Sequence, residues 1–276
     1  IISEDGIVLG KYFFENRSNI KYRELPENLI NALLATEDIR YLSHSGIDVR
    51  SLARAVFGLL KGSGNSGGAS TITQQLAKML FTEKPSSGLE RVMQKFKEWV
   101  IAIRLEKQYT KEEILAMYLN RFDWVNNAVG IKSAAQVYFN KKPDELLVEE
   151  SAMLVGMLKN PALYNPNRRI ELTTDRRNVV LSQLNKYDFI PDSLYDTLKH
   201  QPIVLDFKRA SHNEGLAPYF REYLRGELKE WCSKRLKPDG TAYNLYTDGL
   251  KIHTTINSRM QGFAEEGMKT HISALQ

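Results

Sequence analysis

Three clusters along the chain bring together residue types suited to acid–base and anion chemistry. The first is Glu37-Asp38-Ile39-Arg40-Tyr41, followed by His44, Gly46 and Asp48. Its two adjacent acids end an apolar stretch, and a carboxylate leaving such a helix can be partly desolvated and so suited to act as a general base. Taken alone, the same acids also fit a solvated helix end, with His44 packed as a satisfied core residue. The second cluster, and the most specific, is Gly67-Gly68-Ala69-Ser70-Thr71-Ile72-Thr73-Gln74-Gln75-Leu76-Ala77-Lys78. Small residues, then hydroxyls, then amides mark a helix N-terminus, where free N–H groups favour an anion. Thr71, Gln75 and Lys78 are spaced to share one face. A capped helix with a glycine entry explains the hydroxyls but not the whole string. The third cluster is Lys95, Lys97 and Glu98, with Arg91 a turn earlier. A glutamate among cations can hold them towards phosphate oxygens, and a solvated face with i,i+4 charge pairs is the alternative.

Helices have to position these groups. Leu29, Ile30, Leu33 and Leu34 share a face after Pro26, which predicts a helix that ends at the first cluster. A second helix is predicted from Asp48, carrying Leu52, Ala53, Val56, Phe57 and Leu60. Thr71 with Gln74 has capping-box spacing, so a helix should run from there through Lys78. The longest helical pattern covers 89–107, and Thr110 with Glu113 repeats the capping box to open another through Tyr118. Residues 144–158, 174–186 and the charge-rich 217–236 add three more. Residues 1–25 alternate loosely, as a short hairpin or pair of strands, and Leu250, Ile252, Thr254 and Ile256 alternate as a strand. The loop 62–68 formally contains GxGxxG, but helical residues precede it, so the strand that a dinucleotide fingerprint requires is missing.

Composition narrows the field less. Over 276 residues the formal charge is +5, which suits nucleic acid, anionic lipid or a pyrophosphate substrate equally. The cations are dispersed among acids rather than clustered with aromatics, which argues against a nucleic-acid partner. The single cysteine, Cys232, permits no internal disulfide. No stretch approaches the ~18 apolar residues of a membrane span, and no signal peptide is visible. Ile1 opens the chain and a helical pattern is cut at Gln276, so it reads as a fragment without any anchor.

The three clusters together resemble the family 51 glycosyltransferases, the polymerase domain of class A penicillin-binding proteins and of monofunctional transglycosylases. Glu37 through Gly46 match the family's first motif, and Gly67 through Gln75 its Gly-Gly-Ser-Thr-Ile-Thr-Gln-Gln signature with Ala69 inserted. Lys95 and Glu98 match its Arg-Lys-x-x-Glu motif, with Gln94 in place of the arginine. Tyr109 through Asn120 resemble the fourth motif, and Glu150-Ser151-Ala152 through Tyr164-Asn165-Pro166 the fifth. Two departures stand out. The family carries several glycines and a tyrosine where this chain has Asp123-Trp124-Val125-Asn126-Asn127-Ala128-Val129, and Arg91 lies one residue closer to Glu98 than the family spacing.

The resemblance implies a mainly α fold: a lysozyme-like glycosyltransferase domain with a small membrane-facing subdomain and a short β-containing flank. The expected organisation is an N-terminal strand or linker segment (1–25), the glycosyltransferase domain (26–190), and a linker with the start of a truncated transpeptidase domain (191–276). Ser18-Asn19-Ile20-Lys21 and Ser63-Gly64-Asn65 fit two of the transpeptidase patterns but fall before and inside the first domain, and no Lys-Thr-Gly exists, so transpeptidase activity is not expected. Donor and acceptor would be lipid II and the growing glycan strand. Glu37 would be the base and Glu98 would orient cations, with Arg40, Ser70, Thr71, Gln75, Lys78, Arg91 and Lys95 binding substrate. A divalent ion, Mg2+ or Mn2+, also comes with the resemblance, although the chain has no metal-ligand spacing of its own. The expected setting is the extracytoplasmic face of the plasma (inner) membrane, among cell-wall synthesis proteins and away from nucleic acid. The apolar segment 79–93 would lie against the bilayer, or else be an ordinary helix–helix loop. A lysozyme-like glycan hydrolase and a non-catalytic basic helical binding module are the competing readings.

Overall fold

Local chemistry sets most helix ends. The computed structural model describes residues 1–12, 16–17, 19–60, 70–81, 87–208 and 215–275. The expected loop at 62–68 and residues 82–86 of the apolar segment lie outside them. Pro26, in an extended conformation, caps α1 (Glu27–Glu37). Asp48 accepts a hydrogen bond from Ser51 N at 3.0 Å and so stands just outside α2 (Val49–Leu60). Before α3 (Ile72–Phe81) the capping box is half made: Thr71 Oγ1 accepts from Gln74 N at 3.2 Å, while the Gln74 amide donates to the Gly46 carbonyl at 3.1 Å. Ser87 caps α4 (Gly88–Gln108). At α5 (Lys111–Arg121) both halves of the Thr110–Glu113 box form.

Beyond α5 the periodic signal is weaker. Helix α6 (Ile131–Phe139) buries Ile131, Ala134, Ala135, Tyr138 and Phe139 on nearly every side, so it presents no polar stripe to the sequence. The pattern at 144–158 resolves into a 3-10 turn (Pro143–Glu145) and α7 (Val148–Met157), the one at 174–186 lies within α8 (Ile170–Lys186), and the short α9 (Asp192–Leu198) follows unpredicted.

The chain forms two compact units, residues 17–209 and residues 1–16 with 210–276. In the larger unit α1, α7 and α8 pack together, and α3 packs on α4 and α5. Leu29, Leu33, Ile72, Leu76, Tyr118 and Leu154 are fully enclosed there. At roughly 25 cal/mol per Å2 of apolar surface removed from water, each such leucine or isoleucine contributes on the order of 1.5–3 kcal/mol.

The smaller unit is where the alternating segments meet. Ile2 bridges Val8 around the Asp5-Gly6 turn and also pairs in parallel with His253, through Ile2 N to Ile252 O (2.8 Å) and Thr254 N to Ile2 O (2.9 Å). Helices α10 (Pro218–Ser233) and α11 (Ser258–Leu275) complete it. The buried Arg221 donates to the carbonyls of Leu216 and Gly215 there, which satisfies a cation that has lost water. Mainly helical architecture is therefore what the chain adopts. Among the described residues no helix is long and apolar enough to cross a membrane.

Candidate active site

The C-terminal turn of α1 delivers the first carboxylate. Leu29, Ala32, Leu33 and Ala35 bury the inner face, so Glu37, the last residue, emerges half-buried at the rim of a cavity of about 340 Å3. Its Oε2 accepts a hydrogen bond from Gln75 Nε2 at 2.8 Å. The other end of that amide, Oε1, accepts from the hydroxyl of Tyr118 at 2.9 Å. Tyr118 is 0% exposed. Burial, and then the charge of Glu37, push its phenol well above the ordinary tyrosine range, so it stays protonated.

Asp38 turns the other way. It accepts from His44 Nε2 at 3.0 and 3.1 Å and from the backbone N of Ile72 at 3.2 Å. Two of the N–H groups expected to attract an external anion at the start of α3 are thus met from inside: Ile72 N faces the carboxylate of Asp38, and Gln74 N faces Thr71. Thr71 Oγ1 in turn donates to the Gly46 carbonyl at 2.7 Å, so both capacities of its hydroxyl are spent within the protein. Gly46 has φ +90°, and a Cβ there would stand 2.9 Å from the backbone of Ala102 on α4. No other residue allows the loop to pass this close and still offer its carbonyl to α3. The shared face expected for Thr71, Gln75 and Lys78 is broken for a geometric reason: Thr71 precedes the helix and points inward as its cap, while Gln75 and Lys78 lie on the helix proper.

Arg40 is held by Asp48. Its Nε and Nη2 donate to Asp48 Oδ2 at 3.0 and 2.6 Å, and Nη2 also reaches Ser51 Oγ at 2.7 Å. Burial alone would raise the Asp48 carboxyl, but hydrogen bonds from Ser51 and Arg40 overcome it and lower the pKa to about 2.

The cations gather across α3. A cavity of about 1190 Å3 opens between α3 and α4, lined by Lys78, Arg91, Lys95 and, from the end of α7, Lys159. Glu98 is the acid among its described lining residues and is 5% exposed. Lys95 Nζ donates to Glu98 Oε2 and to Ser70 Oγ, each at 2.9 Å. Ser70 lines both cavities, and Gln75 lines the larger while holding Glu37 at the smaller. The start of α3 therefore joins a carboxylate to a cation-lined space able to take a multiply charged anion.

Of the nine residues singled out from sequence, Ser70, Gln75, Lys78, Arg91, Lys95 and Glu98 line the large cavity. Glu37 and Thr71 line the smaller one with Ser70. Arg40 lies elsewhere, at a third cavity of about 600 Å3 with Tyr41 and Leu42. The lining residues not singled out include a cation, Lys159, and a buried hydroxyl, Tyr118. Both sit inside the matched motif stretches, and only their distance in sequence from the clusters hid them.

The transglycosylase family profile matches residues 5–185. The chain is 35% identical to a penicillin-binding protein 1A of Vibrio cholerae, over 99% of this chain and 32% of that protein. It is 32% identical to penicillin-binding protein 1F of Bacillus subtilis, over 98% of this chain and 36% of that protein. A crystal structure of penicillin-binding protein 1A from Haemophilus influenzae aligns with 96% of this chain and 28% of that chain, at 25% identity and a TM-score of 0.49. The chain spans about a third of the length of the curated relatives it matches.

Proposed function

The chain belongs to the transglycosylase family, and on that footing we propose that it is a peptidoglycan glycosyltransferase that polymerises lipid II into β-1,4 glycan strands. The observation that carries this reading is the junction at the start of α3, where Glu37 and a space lined by Lys78, Arg91, Lys95 and Lys159 meet through Gln75 and Ser70. Glu37 takes the proton from the acceptor's 4-hydroxyl as that oxygen attacks the anomeric carbon of the donor. The C1–O bond to pyrophosphate breaks with inversion, and undecaprenyl pyrophosphate leaves. The cations offset the charge that develops on the leaving group. Glu98 orients Lys95, and Ser70 fixes the same ammonium from the other side.

A divalent ion fits this donor set poorly. Among the described residues no three of His, Cys, Asp and Glu come together. Glu98, the carboxylate in the large cavity, is already engaged by Lys95. The charge on the leaving group is met here by the protein's own cations. A glycan hydrolase would need carboxyls at the scissile bond and would have no use for four cations around one acid.

We infer from the proposed lipid-linked substrate that the domain works at a membrane surface, and the resemblance to class A penicillin-binding proteins implies the extracytoplasmic face. Helix α4 exposes Leu89, Val92, Met93 and Phe96, and the end of α3 exposes Leu80 and Phe81, an apolar run suited to lipid.

The test is polymer formation from purified lipid-linked disaccharide-pentapeptide. Removing the base by Glu37→Gln lowers the rate by ~10²–10⁴ while thermal unfolding stays unchanged. A Glu37→Gln protein as active as wild type removes Glu37 from the role of base. Loss of preformed glycan in place of gain turns the reading towards the hydrolase.

A further inference from the structure

Gln75 stands between two groups that together leave its amide one orientation. On one side is Glu37, which as a carboxylate only accepts hydrogen bonds; on the other is the Tyr118 hydroxyl. Burial keeps that phenol neutral, so it has a proton to give. The terminal amide torsion of glutamine is broad and roughly two-fold, so a single partner restrains it weakly. Glu37, which only accepts, sets the Nε2 end towards itself, and the Tyr118 hydroxyl, able to donate or accept, then donates to the Oε1 end and restrains the torsion from the other side. Tyr118 can serve as the fixed point because it is fully enclosed on α5, and α5 packs on α3.

We propose that Tyr118 is a positioning residue for Glu37: its hydroxyl donates to Gln75 Oε1 (2.9 Å), which turns Gln75 Nε2 onto Glu37 Oε2 (2.8 Å) and leaves Glu37 Oε1 aimed to receive the acceptor's proton. The three groups come from α5, α3 and α1, separated by 43 and 38 positions in the chain, so the relay exists only in the folded unit. Base catalysis demands the base within hydrogen-bond reach of the proton it takes, and small displacements cost rate steeply. The inference rests on Glu37 as the base.

Three proteins are compared with wild type in the lipid II polymerisation assay: Tyr118→Phe, Gln75→Ala and the double variant. Loss of one aligned hydrogen bond of about 1.4 kcal/mol corresponds to a tenfold change in rate. Tyr118→Phe therefore lowers kcat about tenfold with KM within about twofold of wild type. In the Gln75→Ala background the same change costs less than about twofold, because the element through which it acts is gone. A tenfold loss in both backgrounds, a rise in KM with kcat untouched, or no loss at all overturns the relay. A second measurement needs no turnover. By ¹⁵N relaxation the side-chain amide of Gln75 is as rigid as the backbone of α3 in wild type, and Tyr118→Phe raises its ps–ns mobility. A Gln75 amide as mobile in wild type as in Tyr118→Phe also overturns the proposal. Failure of the functional reading looks different: wild type forms no polymer, or Glu37→Gln polymerises normally.

Discussion

Thr71 offers a direct contest between a substrate role and a structural one. Replacing it by valine keeps the shape and removes the hydroxyl. Two hydrogen bonds go: Thr71 Oγ1 to Gly46 O at 2.7 Å and Gln74 N to Thr71 Oγ1 at 3.2 Å. The Gly46 carbonyl still accepts from the Gln74 amide at 3.1 Å, so it is not orphaned. Gln74 N is, and the helix loses its cap. A lost cap costs about 1 kcal/mol, and a buried donor without a partner about 1–3 kcal/mol. The two overlap, since the orphaned donor is the capped one, so the sum is roughly 2–3 kcal/mol. For a unit of this size each kcal/mol moves Tm by about 2–4 °C, giving a fall of roughly 5–10 °C. Thermal unfolding followed by circular dichroism reads the loss directly, and Thr71→Ser, which restores the hydroxyl, returns most of it. Below the transition, KM for lipid II in Thr71→Val stays near the wild-type value. An unchanged Tm together with a raised KM would refute this reasoning and put the hydroxyl on the substrate.

Asp48 carries a pH signature. Its folded pKa of about 2 lies below the model-peptide value of 3.8, so it stabilises the fold above pH ~4, and that contribution is lost as pH falls towards 2. Screening by solvent at the partly exposed Arg40 leaves on the order of 1 kcal/mol, and Asp48→Asn flattens this part of the stability–pH curve measured by denaturant titration. Lys159→Met removes one charge from the large cavity, so kcat/KM for lipid II falls by about 10–100-fold with Tm unchanged; an unaltered kcat/KM takes Lys159 out of the pyrophosphate site. Changing Leu80 and Phe81 together to serine removes exposed apolar surface, so cosedimentation with anionic liposomes weakens; undiminished binding would leave the segment as an ordinary connection.

How far the sequence carried can be judged at individual residues. Thr110 with Glu113 acts within a single turn, so its chemistry is complete in a five-residue window and reads correctly from the string. Thr71 with Gln74 has the same spacing, yet its glutamine leaves the local partner for Gly46, 28 positions away. That choice depends on a loop approaching α4 closely enough to exclude a Cβ, which no local pattern encodes. Candidate residues were found by type and motif, whereas the bonds that organise them (Glu37 to Gln75, Lys95 to Ser70) span 38 and 25 positions. Which way Asp38 and Glu37 point was equally hidden, because adjacent residues at a helix end diverge by their backbone angles.

The segment 123–129 shows the converse case, a departure visible in sequence whose consequence only the backbone explains. Val125, Asn126 and Asn127 have φ of 57°, 52° and 63°, three successive left-handed residues without a glycine among them. Such a conformation costs non-glycine residues roughly 1–2 kcal/mol each, less for asparagine and most for a β-branched valine. The surroundings over-determine it. Trp124 N donates to Ala128 O at 2.9 Å and Ala128 N to Val125 O at 2.8 Å, closing the turn on itself. The buried Trp124 ring donates to Leu154 O at 2.9 Å, and Tyr138 receives Asn126 at 3.0 Å while donating to Trp124 O at 2.8 Å. Phe122, edge-on to Trp124, is thereby held in the wall of the large cavity. The path that glycines would follow freely is here imposed by a fully hydrogen-bonded tryptophan, so the loss of glycine from the string need not change the shape of the site it borders.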